Sequence, residues 1–266
     1  MAEATVDMYS PQLQQTIREL EVALPVAADT MDQDEEWIVV NTPDGWVKVR
    51  LHDYGDVYAI PGLYEKWVYQ LFQCRSPQVV SELLVESVRK AGEDPAELTF
   101  LDLGAGNGYV AEVLHRLGCR HFVGVDIYPE AKMAAERDRP GLYRDFVVGD
   151  LTALTEEQDK QLSAHRFTAL TCVAALGFGD IPPEVFAAAY NRVDDGGWVA
   201  FTIKSDFVSE EDRSGFSRLI EAMQKQDMLE MTARKSYVHR LATDGKELNY
   251  DAFIGRKRAD IPDRLL

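Results

Sequence analysis

Leu13, Ile17, Leu20 and Leu24 recur at three- and four-residue intervals behind Ser10 and Pro11. That spacing predicts an amphipathic helix with a serine N-cap and a proline in its first turn. The acidic stretch "DTMDQDEE", residues 29–36, follows as a connector. "WIVVNTPDGWVKVRL", residues 37–51, is two apolar-rich runs around Pro43-Asp44-Gly45 and predicts a β-hairpin. Residues 1–60 therefore read as a helix-and-hairpin extension in front of a larger unit, residues 61–266.

In that unit "GLYEKWVYQLF", residues 62–72, predicts an aromatic-rich helix. Ser76-Pro77 opens another, with Val79, Val80, Leu83, Leu84 and Val88 on a broad apolar face, and "AGEDPAE" ends it. The pattern then alternates. The apolar runs "TFLDLG", "HFVGVDI", "RDFVVGD", "FTALTCVA" and "GGWVAFTI" suit buried strands, with helical segments between them at residues 109–117 and 183–192. Alternation of this kind predicts an α/β fold with a Rossmann-like, doubly wound, mostly parallel sheet. "SEED" at Ser209 reads as a capping box before a helix at residues 216–223. The last segment reads as two strands joined at Thr243-Asp244-Gly245, an antiparallel closing hairpin.

Charge narrows the function. The chain has 45 acidic against 28 basic residues, a formal net charge of −17. Binding to a phosphate backbone draws on a basic surface, so nucleic acids and anionic membranes are not the expected partners. The three cysteines, Cys74, Cys119 and Cys172, are far apart in sequence and contain no CxxC pair. That argues against a disulfide framework and a structural zinc, and for a reducing, cytoplasmic setting. The first ten residues have no basic segment leading into an apolar run, and no stretch approaches membrane-spanning length.

The candidate chemistry sits in "LDLGAGNGYVAEVL", residues 101–114. A dinucleotide fingerprint would place its third glycine at position 109, which holds Tyr109. A P-loop requires Gly-Lys-Ser/Thr, and Gly108 is followed by Tyr-Val. What remains is Asp102-x-Gly104-x-Gly106-x-Gly108, a loop that lets a ligand approach the backbone and an acid that can meet a positive group. Asp126 ends the next strand, where a carboxylate can accept both ribose hydroxyls. Asp150 ends the one after, where it can accept the adenine amino group beside the Leu151 backbone.

These residues resemble the first three motifs of class I S-adenosylmethionine-dependent methyltransferases of the small-molecule type. The resemblance spans about residues 98–258. It implies S-adenosyl-L-methionine as cofactor, S-adenosyl-L-homocysteine as product, and a small-molecule acceptor. By the resemblance Gly104, Ala105, Gly106 and Gly108 would line the methionine portion, and Asp102 would orient its amino group. Asp126 and Ile127 would hold the ribose, and Asp150 and Leu151 the adenine. Val173 and Ala174 would face the sulfur or the acceptor. The closing strand pair is similar to that of methyltransferase-like proteins related to the Williams-Beuren-region group. The Asn-Pro-Pro-Tyr type motif of planar amide and base methylation is missing; "VAALGFGDIPP" stands in its place.

Tyr58, Tyr64 and Trp67 are the candidate substrate contacts, and no general base stands out. Each position also has a structural reading. Asp126 would cap a helix near Pro129, Asp150 a turn through Thr152, and Asp180 the helix after Pro182-Pro183. His239 would be an ordinary strand histidine. His52, Tyr54 and Tyr58 lie in a polar-aromatic loop able to close over a site. Two other functions stay open: a non-catalytic cofactor-binding module, and a methyltransferase acting on protein. A nicotinamide-dependent oxidoreductase is disfavoured by Tyr109. A homodimer through the extension is a candidate assembly.

Overall fold

A computed structural model of the chain describes residues 10–25, 33–176, 180–205 and 215–266. The "SEED" segment at Ser209 lies outside the described residues, as do the first nine residues, the first half of the acidic connector and residues 177–179.

Helix α1 spans Pro11–Glu19, with the Ser10 hydroxyl accepting from the Leu13 N–H and Pro11 in the first turn. The apolar spacing predicts a helix reaching Leu24, but Leu20 is already extended. Val22–Ala23 instead forms β1, paired antiparallel with Val40 and Val39 of β2, Trp37–Thr42. With β3, Gly45–Arg50, the expected hairpin becomes a three-stranded sheet. A short strand adds two residues of backbone pairing that a frayed helix end would leave to water. Residues 54–59, read as a loop, form a short helix, α2, Tyr54–Ala59. Glu65–Leu71 is a π-helix, and α3, Ser76–Lys90, follows as expected.

The larger unit alternates as its pattern requires. The order is β4 Thr99–Leu103, α4 Tyr109–Arg116, β5 His121–Asp126, α5 Pro129–Asp138, β6 Asp145–Val148 and α6 Glu156–Ser163. Then come β7 Phe167–Cys172, α7 Pro183–Asn191, β8 Val193–Lys204, α8 Phe216–Lys225, β9 Leu229–Leu241 and β10 Glu247–Lys257. The seven-stranded sheet runs β6-β5-β4-β7-β8-β10-β9. Its first five strands are parallel, and β10 is antiparallel to both neighbours.

Alternating side chains fill two layers. Leu101, Val123, Val125, Leu170, Val199 and Phe201 pack on one face with α7 and α8. Phe100, Phe122, Ala169, Trp198 and Ala200 pack on the other with α3 and α4. Burial on both faces explains why these strands read as near-continuous apolar runs. The extension is not loosely appended: Ile38, Val40 and Val49 share a core with Leu63, Trp67 and Phe72. Glu36 and Arg240 form a buried ion pair between its edge and β9. The strand order reverses between β4 and β7, and in doubly wound sheets ligands bind at the carboxyl ends of strands beside such a switch.

Candidate functional site

A cavity of about 280 Å3 opens at that switch point. The sheet contributes Gly104 after β4, Asp126 and Ile127 after β5, Asp150 after β6 and Val173 after β7. The front segment closes over them with Tyr54, Tyr58 and Tyr64. These rings are in mutual contact, Tyr54 to Tyr58 at 6.1 Å and Tyr58 to Tyr64 at 5.1 Å between centroids. Burial drives all three phenols upward, so they stay neutral donors and acceptors.

The glycines have a measurable reason. Gly104 has φ +67°, and a Cβ there would lie 3.0 Å from both Ala175 Cβ and Ile181 Cδ1. Gly106 has φ +52°, and a Cβ there would lie 2.4 Å from the Tyr58 hydroxyl oxygen. Left-handed backbone and close approach together require glycine at both positions. Gly106 also donates its N–H to Asp126 Oδ2 at 2.8 Å, while Tyr128 N–H donates to Oδ1 at 3.0 Å. The loop and the acid of the next strand are thus one hydrogen-bonded unit. Burial raises the Asp126 carboxyl, and the backbone donors of Tyr128, Gly106 and Ile127 oppose that shift.

Other expected residues fall elsewhere. Asp102 is buried, and its oxygens accept from the Thr171 and Tyr143 hydroxyls, each at 2.6 Å. Burial outweighs both bonds and pushes its carboxyl up to about 6. The carboxylate is therefore turned into the core, not onto the cavity wall. Ala105, Gly106, Gly108 and Leu151 lie behind the wall; Ala105 packs with Tyr58 and Phe146, and Leu151 packs in the sheet's core. Trp67, an expected substrate contact, is fully buried between Leu63, Phe72 and the extension, and lines neither neighbouring cavity. Its ring fills the core that the front segment shares with the three-stranded sheet, where packing outcompetes exposure.

Asp150 lines the cavity while its Oδ1 accepts from both Thr152 N–H and hydroxyl at 2.8 Å, so turn and wall coincide in one residue. Asp180 does not cap α7; Pro182 occupies that position. Asp180 Oδ2 instead lies 3.3 Å from His52 Nδ1, and Asp180 faces the cavity. Sequence gave no sign of this pairing across 128 positions. Ala174 has φ +57°, strained for a non-glycine, and its N–H is held by the Thr202 hydroxyl at 2.7 Å. His239 is buried, with Nδ1 2.6 Å from Ser76 Oγ, and burial lowers it well below the usual histidine range.

A second network ties the front segment to the glycine loop. Arg139 Nη1 donates to Glu65 Oε1 and to the Asn107 carbonyl, both at 3.0 Å, and Nε donates to Glu112 at 2.6 Å. Asn107 Nδ2 donates to the same Glu65 oxygen at 2.6 Å. Burial alone would lower the Arg139 guanidinium, but Glu65 and Glu112 hold it charged.

The sequence matches the family described as "Methyltransferase domain" over residues 43–242. The chain belongs to that family. Methyltransferase domains of this family take their methyl group from S-adenosylmethionine. No curated protein matches the chain. Among solved structures, it is similar to a candidate RNA methyltransferase from Pyrococcus horikoshii, with 17% identity, a TM-score of 0.51, and 70% and 87% of the two chains covered. It is also similar to an S-adenosylmethionine-dependent methyltransferase from Clostridium acetobutylicum, with 14% identity, a TM-score of 0.50, and 74% and 97% covered. At these identities the similarity shows a shared fold. Among the described residues, no helix is long and apolar enough to cross a membrane.

Proposed function

We propose that this methyltransferase acts on a small-molecule acceptor, with the cavity at the switch point holding the methyl donor. The observation behind the reading is that cavity, with Gly104, Asp126, Asp150 and Val173 in strand order on one wall and three neutral tyrosines on the other. The donor fits on physical grounds: Gly104, a wall position that a Cβ would crowd, and two carboxylates placed for hydroxyl and amino groups.

In this reading Asp126 accepts from the ribose and Asp150 from the adenine amino group, each through charge-assisted hydrogen bonds. Gly104 lets the methionine portion lie against the backbone, and Val173 and Ala174 stand beside the reacting centre. Asp102 acts indirectly, by anchoring the end of β4 to β7 through Thr171. When bound, S-adenosylmethionine supplies an electrophilic methyl on a good leaving group. The protein's part is to align the acceptor and exclude water, which Tyr54, Tyr58 and Tyr64 do by roofing the cavity. A nucleic-acid acceptor fits poorly with a net charge of −17. Three buried free thiols suit a reducing, cytoplasmic compartment.

The test is to incubate the protein with methyl-tritiated S-adenosylmethionine and a cell extract separated into metabolites, RNA and protein. Label entering the metabolite fraction supports the reading. Label in RNA or protein contradicts it. Cofactor binding with no transfer to any fraction would favour a non-catalytic module.

A further inference from the structure

Beside the main cavity lies a smaller chamber of about 50 Å3. Tyr54, Tyr64, Val173, Ala174, Ala175 and Asp180 line both spaces, so they meet along a common wall. The far side comes from the extension and the closing strands: His52, Cys74, His239, Arg240 and Tyr250. Its location next to Val173 and Ala174 is where an acceptor must enter if the main cavity holds the donor.

The charge balance there is one-sided. Among the described residues lining either space, Arg240 is the one lysine or arginine. Its guanidinium is buried and bonded to the Glu36 carboxylate and the Leu241 carbonyl. Asp180 lines both spaces, and Asp126 and Asp150 line the main cavity. His239 is neutral by burial and tied to Ser76, and burial holds the Cys74 thiol up at about 11. The Tyr54 ring stands edge-on to His52 at 5.5 Å and stays protonated through its own burial and the neighbouring Asp180. An anionic acceptor would meet the like charge of Asp180, with the Arg240 guanidinium already bonded to Glu36. A cation would meet Asp180 and the electron-rich faces of Tyr54 and Tyr64.

We propose that this chamber is the acceptor subsite and that it takes the head group of a small organic amine, with Asp180 as its counter-ion. His52 Nδ1 stands 3.3 Å from Asp180 Oδ2 and fixes the direction of the carboxylate. The proposal rests on the reading of the main cavity as the donor site, and the two can fail separately.

The test titrates the full chain, saturated with S-adenosylhomocysteine, with three molecules of one shape: 2-phenylethylamine, 2-phenylethanol and phenylacetate. Near neutral pH the amine should bind at least about tenfold more tightly than the alcohol, as expected where a site's polar group is left unpaired by the wrong ligand. Phenylacetate should not bind. Asp180→Asn should remove the amine's advantage, and Asp180→Glu should restore most of it. Equal binding of amine and alcohol, preferred binding of phenylacetate, binding of none, or an amine preference that survives Asp180→Asn would each overturn the proposal. Failure of the wild-type chain to bind S-adenosylhomocysteine would overturn the donor-site reading instead.

Discussion

Asp126 ties the glycine loop to the start of α5 from the cavity wall. It accepts from Gly106 and Tyr128 and still faces the cavity. Asp126→Ala should weaken S-adenosylmethionine binding by about 1–3 kcal/mol, the usual cost of losing charge-assisted hydrogen bonds. Calorimetry on the folded variant checks this; unchanged affinity would remove Asp126 from the site. Asp102 makes a different prediction. Its folded carboxyl is raised from the ordinary 3.8 to about 6, so the native state binds more protons than the unfolded chain. The protonated carboxyl contributes stability that is fully present below about pH 4 and is lost as pH rises through about 6, a swing of about 3 kcal/mol. Asp102→Asn should lack that swing, and the difference between the two proteins' urea-melt stabilities across this window measures it. Identical pH profiles would mean that Asp102 is not held in this environment.

At the scale of elements, the joint between the π-helix and the glycine loop is built around the Arg139 guanidinium and the Asn107 amide. Arg139 bridges Glu65 of the π-helix, Asn107 of the loop and Glu112 of α4. Arg139→Leu leaves Glu65 buried with Asn107 as its remaining side-chain donor, and should destabilise the protein by about 3–5 kcal/mol. Denaturant melts test it, and a loss below 1 kcal/mol would show that the pair is solvated in solution. The strands and long helices were legible because two-face burial and helical periodicity mark them directly in the sequence. The front elements were less so. Residues 54–59 contain Gly55 and Asp56, poor helix formers, and are helical because Val57 and Tyr58 pack inward. Val22–Ala23 is a strand through pairing with β2, a tertiary cause that no local pattern announces. Within the site, Gly104, Asp126 and Asp150 could be found because each ends an apolar run. His52 and Asp180 could not, since the turn before α2 and the segment before α7 come together only after the fold closes. Trp67 misled because an aromatic in an amphipathic segment looks the same whether it lines a pocket or fills a core.

At the scale of the whole molecule, the acid excess and the carboxylate-lined cavity act in the same direction. S-adenosylmethionine carries a sulfonium charge that its demethylated product lacks. Raising sodium chloride through the range where the Debye length falls from about 10 Å to about 3 Å should weaken binding of the donor by a few fold and of the product by less. Equal salt dependence would mean that the field at the site is not set by these carboxylates. The same acidity should leave the protein without measurable affinity for RNA at physiological salt, read by filter binding.

The central claim is that the glycine loop and the three strand-end positions form a methyl-donor site. Calorimetric titration with S-adenosylmethionine, S-adenosylhomocysteine and the oxidised nicotinamide dinucleotide tests it most directly. Binding of the first two, with no heat from the third, is the predicted result. Binding of the dinucleotide alone, or of none of the three, would contradict it.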